Sequence, residues 1–502
     1  MIIYLILFSL FPKIDRSYIL GFVPLFFLIL PPARPSNSFS CHFLSLPLLY
    51  PLKLIWFALY VCICYACFYY LTCEKGFFNG FSQKNKSVWG AAILFGTAAI
   101  LLHNDAKAVG LTTKLAAAVP VQSFSDVGGH WAETVIRKAA ELNLVQGYSD
   151  GTFHPDGKIT RAEFAAMLNR ATKQTTDTVV AETPLAGLQN HWGQAEVNKL
   201  AALGFIDQSD YKTGFSPDQE LTRYEMIKWI SSGLAQSEPS FKQALEDTEG
   251  TLLPTPETYK GGISSDQIPH VALVKGTGIV DGFEDGTFRL AQATTRAEVS
   301  AILMRFMEVE GNKAEQYKGL NELREVGLTG SNLTTITKYK YGMDYNGVVR
   351  DFSFIRGKSI SLRDGIGTMK INRVIVVDSD NDSNVSIYKP MFLENVEKYQ
   401  KNKYVVFSEI AVYSSVKDLT NLELGNSMGN GITSSTRLLG DNVIRFGLKT
   451  LSNRNNNELL NSGNDEFFWV SEVIPKIVPN DYPQLSLSIT TTNDDFVRIF
   501  LD

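Results

Sequence analysis

The sequence predicts a multidomain chain in which a helical part, built from three repeats, precedes a β-rich part. Two observations predict the helical part. A Thr-Arg-x-Glu tetrapeptide occurs three times, and each time its arginine lies eight residues after a phenylalanine. Apolar residues then follow each tetrapeptide at helical spacing. From about residue 311 this pattern is replaced by short β-rich runs between polar turns. A chain of 502 residues is long enough for two or more domains.

The N-terminal region contains an apolar segment and then a secretory signal. Residues 1–83 carry few charges, and the run at 44–73 is long enough to span a bilayer. Residues 84–108 have the basic start, apolar core and small-x-small end of a signal peptide. Because such a signal belongs at an N-terminus, we expect translation to start near residues 71–83; a membrane anchor within residues 1–83 is the alternative. In both cases the mature chain is predicted to begin near Val109, outside the membrane.

Charge and cysteine content exclude several classes of function. The formal net charge of −5 and the pI near 5.8 argue against nucleic-acid binding, which depends on a basic face. All five cysteines precede the predicted cleavage site. The mature chain is therefore predicted to contain neither disulfide bonds nor thiolate metal sites.

Each tetrapeptide has the pattern of a capping box at the start of a helix. In this motif the threonine hydroxyl accepts a hydrogen bond from the N3 amide, and the glutamate side chain accepts one from the N-cap amide. The capping pairs are Thr160 with Glu163, Thr222 with Glu225, and Thr295 with Glu298. These residues are predicted to be structural.

The arginine of each tetrapeptide needs a separate explanation. Arg161, Arg223 and Arg296 occupy the first helical position, where the helix dipole favours an anionic side chain. A guanidinium beside free backbone amides can form an anion site that fits carboxylate or phosphate. Two interpretations stay open: each arginine binds an anionic ligand, or each pairs with an acidic residue of the neighbouring repeat.

The residues around the tetrapeptides resemble the surface-layer homology (SLH) repeat. The first copy has Phe124-Ser125-Asp126, His130-Trp131 and a turn at 147–152 before its tetrapeptide. The second copy keeps His191-Trp192. The third copy keeps the turn that begins at Gly282, lacks the His-Trp pair, and has Leu245-Glu246-Asp247 as the candidate remnant of its opening Phe-x-Asp. The predicted ranges are a linker at 109–123, repeats at 124–175, 185–236 and 237–310, the third with a loop insertion at 237–262, and a β-rich domain at 311–502.

This resemblance implies both a fold and a ligand. In the SLH family three repeats fold together into a pseudo-threefold spindle, and grooves between neighbours hold an acidic, often pyruvylated, secondary cell-wall polysaccharide. The ligand arginines implied here are Arg161, Arg223 and Arg296, and Trp131, Trp192, Gly147 and Gly282 are further candidates for polysaccharide binding, with Asp126 structural. Either tryptophan could instead belong to the core, because Trp131, Val135, Ala139 and Leu142 form one helical stripe beside a second stripe of Ala132, Ile136 and Ala140.

The β-rich part is predicted to be an antiparallel sandwich or barrel. The predicted strand runs are Val374–Val377, Tyr404–Tyr413, Phe467–Ile474, Leu485–Thr492 and Phe496–Leu501. Gly425–Gly429 fits the G-x-S-x-G nucleophile elbow. However, all six histidines precede residue 311, so none from this part could activate Ser427, and we predict a loop.

Asp378, Asp380 and Asp382 alternate with polar residues after a predicted strand, as in the first half of a calcium loop. The later ligands of an EF-hand are missing, because Ser383 and Lys389 occupy the sixth and twelfth positions. A solvated acidic turn and a weak calcium site are the two interpretations. No other cofactor is predicted.

These patterns predict a secreted, non-catalytic protein of the cell wall of a Gram-positive-type envelope. Its repeats would bind secondary cell-wall polysaccharide or peptidoglycan, its β-rich part would face outward with possible self-association in a surface layer, and only the N-terminal segments would contact membrane. Two alternatives remain open. One is a wall-anchored, glycan-degrading enzyme that uses paired carboxylates, and the other is an adhesin.

Overall fold

The computed structural model describes residues 123–175, 185–380, 385–397, 402–428, 433–434, 436–451, 463–478 and 484–501. The predicted apolar segment, signal peptide and nearly all of the linker lie outside the described residues. Within those ranges, no helix combines the length and the apolar character needed to cross a membrane.

Each of the three tetrapeptides begins a helix. The helices up to residue 336 are α1 (Glu133–Glu141), α2 (Arg161–Ala171), α3 (Gln194–Ala202), α4 (Arg223–Ser237), α5 (Pro239–Asp247), α6 (Glu257–Lys260), α7 (Ile268–Gly276), α8 (Arg296–Val309), α9 (Lys318–Thr329) and α10 (Leu333–Ile336). Helices α2, α4 and α8 start at a complete capping box, in which the threonine accepts from the N3 amide and the N3 glutamate accepts from the N-cap amide. In each copy the last helix therefore starts at the tetrapeptide, and the third copy has two additional helices, α5 and α6.

The insertion in the third copy is partly helical, so the prediction of a loop at 237–262 is wrong. Glu238 accepts from the amide of Ser240 and caps α5, and Pro239 takes the first helical position, where its missing N–H costs nothing. Phe241 and Ala244 of α5 are buried. Pro256 likewise stands at the N-cap of α6, so two prolines of this insertion mark helix starts.

Residues after 340 form two antiparallel sheets, which confirms the prediction of a β-rich C-terminal part. The strands are β1 (Lys340–Tyr341), β2 (Ser359–Ser361), β3 (Gly367–Asp378), β4 (Lys403–Ser414), β5 (Thr436–Arg437), β6 (Asp465–Pro475), β7 (Leu485–Thr490) and β8 (Phe496–Leu501). One sheet has the order β2-β3-β4-β6-β5, and the other has the order β1-β8-β7. Short helices α11 (Leu393–Glu397), α12 (Asn421–Ser427) and α13 (Asp441–Phe446) lie between strands.

The five-stranded sheet is covered on both faces along its central strands. Val374 and Val376 of β3 belong to a hydrophobic cluster shared with the three-stranded sheet. Ile375 and Val377, which point to the opposite face, belong to a cluster that continues into the helices. Burial on both faces explains why the runs in β3 and β4 are apolar at successive positions instead of alternating.

Helices and sheet are also joined by partly buried hydrogen bonds. The hydroxyl of Tyr259 in α6 donates to Glu409 of β4 over 3.0 Å and accepts from the indole N–H of Trp469 in β6 over 3.2 Å. Burial raises the pKa of Tyr259, so the phenol stays neutral. Helix α9 packs into the same cluster as the repeats, although it lies beyond residue 310. The domain boundary at that residue stays a prediction.

Candidate functional site

The three tetrapeptide arginines form a closed ring of ion pairs between the copies. Each arginine pairs with the capping-box glutamate of another copy, so that the first copy bonds the second, the second bonds the third, and the third bonds the first. The pairs are Arg161 Nε to Glu225 at 2.8 Å, Arg223 Nη1 to Glu298 at 3.3 Å, and Arg296 Nη1 to Glu163 at 3.6 Å. The arginine side chains are only 11%, 5% and 7% exposed.

The ring also involves the phenylalanine that precedes each tetrapeptide. Every ring guanidinium also donates to the backbone carbonyl of that phenylalanine in the copy it contacts. The bonds are Arg161 to Phe215 at 2.6 Å, Arg223 to Phe288 at 2.9 Å, and Arg296 to Phe153 at 2.9 Å. Pairing with the neighbouring copy, one of the two interpretations that the sequence left open, is therefore what the structure shows. Direct contact between these arginines and a ligand stays a prediction.

The residue after each of these phenylalanines has a left-handed backbone, and in two copies a carboxylate accepts hydrogen bonds from the amides at this point. In the first copy Asp126 accepts from the amides of Phe153 and His154 over 2.8 and 2.7 Å. In the third copy Glu257 takes this place and accepts from the amides of Phe288 and Arg289. His154 and Arg289 have φ values of 54° and 50°.

The candidate remnant at residues 245–247 is therefore wrong. Asp247 lies at the end of α5 and bonds the guanidinium of Arg324 over 2.8 Å. The insertion displaced the acceptor to Glu257, which a search for Phe-x-Asp could not find.

Trp131 and Trp192 lie on the surface, with exposed fractions of 67% and 61%. The core interpretation is therefore wrong for both. Ala132, directly before α1, is buried, as are Ile136, Ala139 and Ala140 on that helix, whereas Leu142, directly after it, is exposed.

The histidine before each tryptophan fixes the start of the next helix. His130 Nδ1 accepts from the amide of Ala132 over 3.1 Å, and its Nε2 lies 3.3 Å from Asp156. His191 makes the same two contacts, with the amide of Gly193 at 3.0 Å and with Asp218 at 3.1 Å. Two copies thus hold an exposed indole in the same setting.

Trp131 lines an open groove of about 880 Å³ against the third copy. We call it the Trp131 groove. Its lining includes Gly282 and Phe283 of the turn, Ala301 and Ile302 of α8, and Arg305 one turn farther along that helix. Arg223 of the ring lines it as well, and so does Arg445 of the β-rich part. The groove thus combines an aromatic face and cationic side chains with five acidic residues, Asp156, Asp281, Glu284, Asp285 and Glu298.

The junction between the first and second copies carries equivalent residues around Trp192. Gly193, next to Trp192, lies against α2, because a Cβ on it would be 2.9 Å from the Cβ of Ala162. Arg170 on α2 donates to the carbonyl of Leu144 over 3.0 Å, as Arg305 on α8 donates to that of Ile279 over 2.9 Å. Because these residues match those of the Trp131 groove, we call this junction the Trp192 groove.

The corresponding junction, between α4 and the third copy, lacks both the exposed tryptophan and the arginine. Each tryptophan lies two residues before a helix, and in the third copy that position is Asp266, two residues before α7. Arg170 and Arg305 lie nine residues after the tetrapeptide arginine, and on α4 that position is Ser232. Among the described residues, only two of the three junctions therefore pair an exposed tryptophan with an arginine.

Gly147 and Gly282 allow the chain to turn tightly beside the grooves. A Cβ on Gly147 would lie 2.6 Å from the carbonyl oxygen of Thr152, and one on Gly282 would lie 2.9 Å from that of Thr287. Gly282 also has a φ of +88°, which disfavours other residues. The backbone geometry explains why glycine is needed at both positions. Contact of these glycines with a ligand stays a prediction.

The acidic turn after β3 is bonded to a lysine. Lys476 contacts both Asp378 and Asp380, and these contacts raise its pKa although burial opposes them. Asp382 lies outside the described residues. In the part of the chain that the structure describes, no three metal-binding side chains come together. The calcium site stays a prediction, with an ammonium group between two of its carboxylates.

The G-x-S-x-G segment is not a loop over its described residues, so that prediction is wrong. Gly425, Asn426 and Ser427 form the last turn of α12, whose capping box is Thr420 with Glu423. Ser427 is buried and its hydroxyl donates to the carbonyl of Leu424 over 2.7 Å. A nucleophile elbow needs its serine exposed between a strand and a helix, and this serine ends a helix.

Comparison with known proteins identifies the repeats. The S-layer homology domain family matches residues 123–165 and 262–300, which lie in the first and third copies. The middle copy is outside the matched residues but has the same capping box and ring arginine. The sequence resemblance to SLH repeats is thereby confirmed.

Three curated relatives share this region. A cellulosome-anchoring protein of Acetivibrio thermocellus is 33% identical over 169 residues, which cover 32% of this chain and 35% of the relative. An S-layer protein of Bacillus licheniformis is 32% identical over 111 residues, or 22% of this chain and 12% of the relative. An amylopullulanase of Thermoanaerobacterium thermosulfurigenes is 27% identical over 191 residues, or 38% and 10%. The chain spans about a third of the first relative and less of the others, and these matches support association with the cell wall.

Proposed function

We propose that this chain, an S-layer homology domain protein, is a secreted cell-surface protein that binds an acidic secondary cell-wall polysaccharide. Its three copies would form the pseudo-threefold spindle of the family. The closed ring of ion pairs supports this arrangement, because each copy bonds both of the others through equivalent residues. The names of the cellulosome-anchoring and S-layer relatives agree with a surface location.

The observation that carries the proposal is that exposed Trp131 lines a groove together with Arg305, and that the Trp192 junction has the same two residue types at equivalent positions. An indole face suits the apolar face of a sugar ring, and a guanidinium forms charge-assisted bonds with a carboxylate. Trp131 with Arg305, and Trp192 with Arg170, would provide these contacts. Two grooves on one chain add avidity, so that weak binding at each site still gives firm attachment.

In this proposal the ring arginines act mainly by joining the copies. Their donors already bond glutamates and carbonyls. Arg223 also lines the Trp131 groove and could contact the ligand from its edge. The arginines thus shape the grooves, and the exposed side chains make most of the contacts with polysaccharide.

Sedimentation of the purified protein with cell-wall sacculi tests this function. One sample of sacculi is left intact, and the other is stripped of secondary polysaccharide by acid. We expect binding to the intact sacculi and its loss after stripping. Binding that survives stripping would indicate peptidoglycan as the ligand and would contradict the proposal.

We further propose that the β-rich part is not an enzyme. The buried, hydrogen-bonded Ser427 supports this for serine chemistry. Because the amylopullulanase relative shows that similar segments occur in a protein named as an enzyme, the alternative needs a direct test. The purified protein should release no reducing sugar from wall polysaccharide or from common glucans, and measurable turnover would contradict this proposal.

A further inference from the structure

One wall of the Trp131 groove is bonded to the β-rich part. Arg445 on α13 donates through Nε to the carbonyl of Asp285 over 2.8 Å, and through Nη2 to the carbonyl of Glu284 over 2.6 Å. Both carbonyls belong to the turn that carries Phe283, which lines the groove. A planar guanidinium can bond two neighbouring carbonyls at once and so fixes their relative orientation.

Helix α13 is itself held against the third copy. Phe446, next to Arg445, is 2% exposed and belongs to the cluster of the helices. A Cβ on Gly286 would lie 3.6 Å from both Nη2 of Arg445 and the ring of Phe446, so the turn and α13 are in contact. A Cβ on Gly447 would likewise meet Tyr259 and Lys260 of α6. Arg445 therefore reaches the turn from a packed position.

The equivalent turn of the first copy provides a comparison. The two turns share their backbone hydrogen bonds, with Tyr148 N to Thr152 O at 2.8 Å and Phe283 N to Thr287 O at 2.9 Å. A Cβ on Gly151, the counterpart of Gly286, would meet no atom within 4 Å. The glycine of the third-copy turn is therefore covered by α13, and that of the first-copy turn is open.

We propose that Arg445 is a positioning residue that preorganises the Trp131 groove for its ligand. This inference rests on the proposed function. A turn held in place before binding loses less conformational freedom when the ligand arrives. The Trp131 groove is therefore the tighter of the two, and the β-rich part contributes to wall binding through a contact that lies outside the repeats.

The test uses the full chain and measures affinity for isolated wall polysaccharide by titration calorimetry. Arg445→Ala is combined with Trp192→Ala, which leaves the Trp131 groove, and separately with Trp131→Ala, which leaves the Trp192 groove. We expect binding about tenfold weaker in the first background, or about 1.4 kcal/mol, because the ligand must then order the turn itself. In the second background the affinity should stay within about twofold.

Two further variants separate positioning from charge. Arg445→Lys keeps the charge but loses the planar fork, so it should weaken the Trp131 groove nearly as much as alanine. Arg498→Ala removes another arginine of the β-rich part, one that bonds Ser486 of the three-stranded sheet, and it should leave both grooves unchanged. Thermal unfolding of each variant verifies that the fold is intact.

Each remaining outcome would overturn the inference. Equal weakening in both backgrounds would show a general loss of structure. Full affinity in Arg445→Lys would show that the residue acts by charge alone, and full affinity in Arg445→Ala would show no role. If the unsubstituted protein does not bind the polysaccharide, the proposed function itself fails, and this inference fails with it.

Discussion

The ring of arginines and the two tryptophan grooves lie in the same repeats but differ in how many of the three junctions contain them. The ring is complete in all three copies, with equivalent buried ion pairs. The pairing of tryptophan with arginine occurs at two junctions only, because the third has Asp266 and Ser232 at these positions. A contact that closes the fold must be present at every junction, whereas binding can be lost at one junction without loss of structure. This difference separates structural from ligand-binding residues within a single motif.

The largest expected effect comes from breaking the ring. Arg223→Ala would leave Glu298 without its ion-pair partner and the carbonyl of Phe288 without the guanidinium donor. Removing one member of a buried pair costs about 3–5 kcal/mol, so we expect a large fall in the free energy of unfolding measured with urea. Arg305→Ala, at a position that is more exposed, is the matched control and should change stability by less than about 1 kcal/mol. Equal stability of both variants would contradict a structural role for the ring.

A buried carboxyl group outside the ring should make the free energy of unfolding depend on pH. Glu322 of α9 is 0% exposed and accepts hydrogen bonds from Ser386, Asn332 and the amide of Ile387. Burial raises its pKa to about 7, although these hydrogen bonds and the charge of Lys318 oppose the shift. The folded chain therefore holds this proton more tightly than the unfolded chain does.

The raised pKa of Glu322 determines the direction in which stability changes with pH. The stabilising contribution of Glu322 is fully present below its unfolded pKa and is lost as the pH rises through about 7. Glu322→Gln should therefore be more stable than the unsubstituted protein at pH 8, by about 1–3 kcal/mol, and similar to it near pH 4. Urea unfolding at both pH values measures this, and a variant that is less stable at pH 8 would contradict it.

A smaller effect is expected from the groove arginines. Arg305→Ala removes one charge-assisted contact from the Trp131 groove and should weaken polysaccharide binding by about tenfold. Arg170→Ala should act in the same way on the Trp192 groove. Ser232→Ala, at the same helical position of α4, is the control that should change nothing, and a loss of affinity there would place ligand at the third junction too.

Much of this architecture could be predicted from sequence because it depends on local chemistry. Thr160 and Glu163 specify a helix start by their spacing alone, and the β-branched run at Val374–Val377 specifies a strand. The position of Trp131 could not be read in this way. Two adjacent stripes on α1 both had helical spacing, and only contact with α8 decides which one is buried.

Other features of the site depend on residues that are distant in sequence. Arg445 reaches the Trp131 groove only because α13 packs on the third copy, and nothing in residues 441–446 indicates this. Glu257 replaces the missing aspartate from within an insertion. A signal did exist for Arg170 and Arg305, since both follow a tetrapeptide arginine by nine residues and the second copy lacks this residue.

The central claim is that the exposed tryptophans bind the wall while the buried ring holds the copies together. The most direct measurement compares the double variant Trp131→Ala, Trp192→Ala with the unsubstituted protein in sedimentation with intact sacculi, alongside urea unfolding. We predict that the double variant loses wall binding and keeps its free energy of unfolding within about 1 kcal/mol, because both indoles are largely exposed. A double variant that still sediments with the sacculi would contradict the account. It would favour the ring arginines as the residues that contact the ligand.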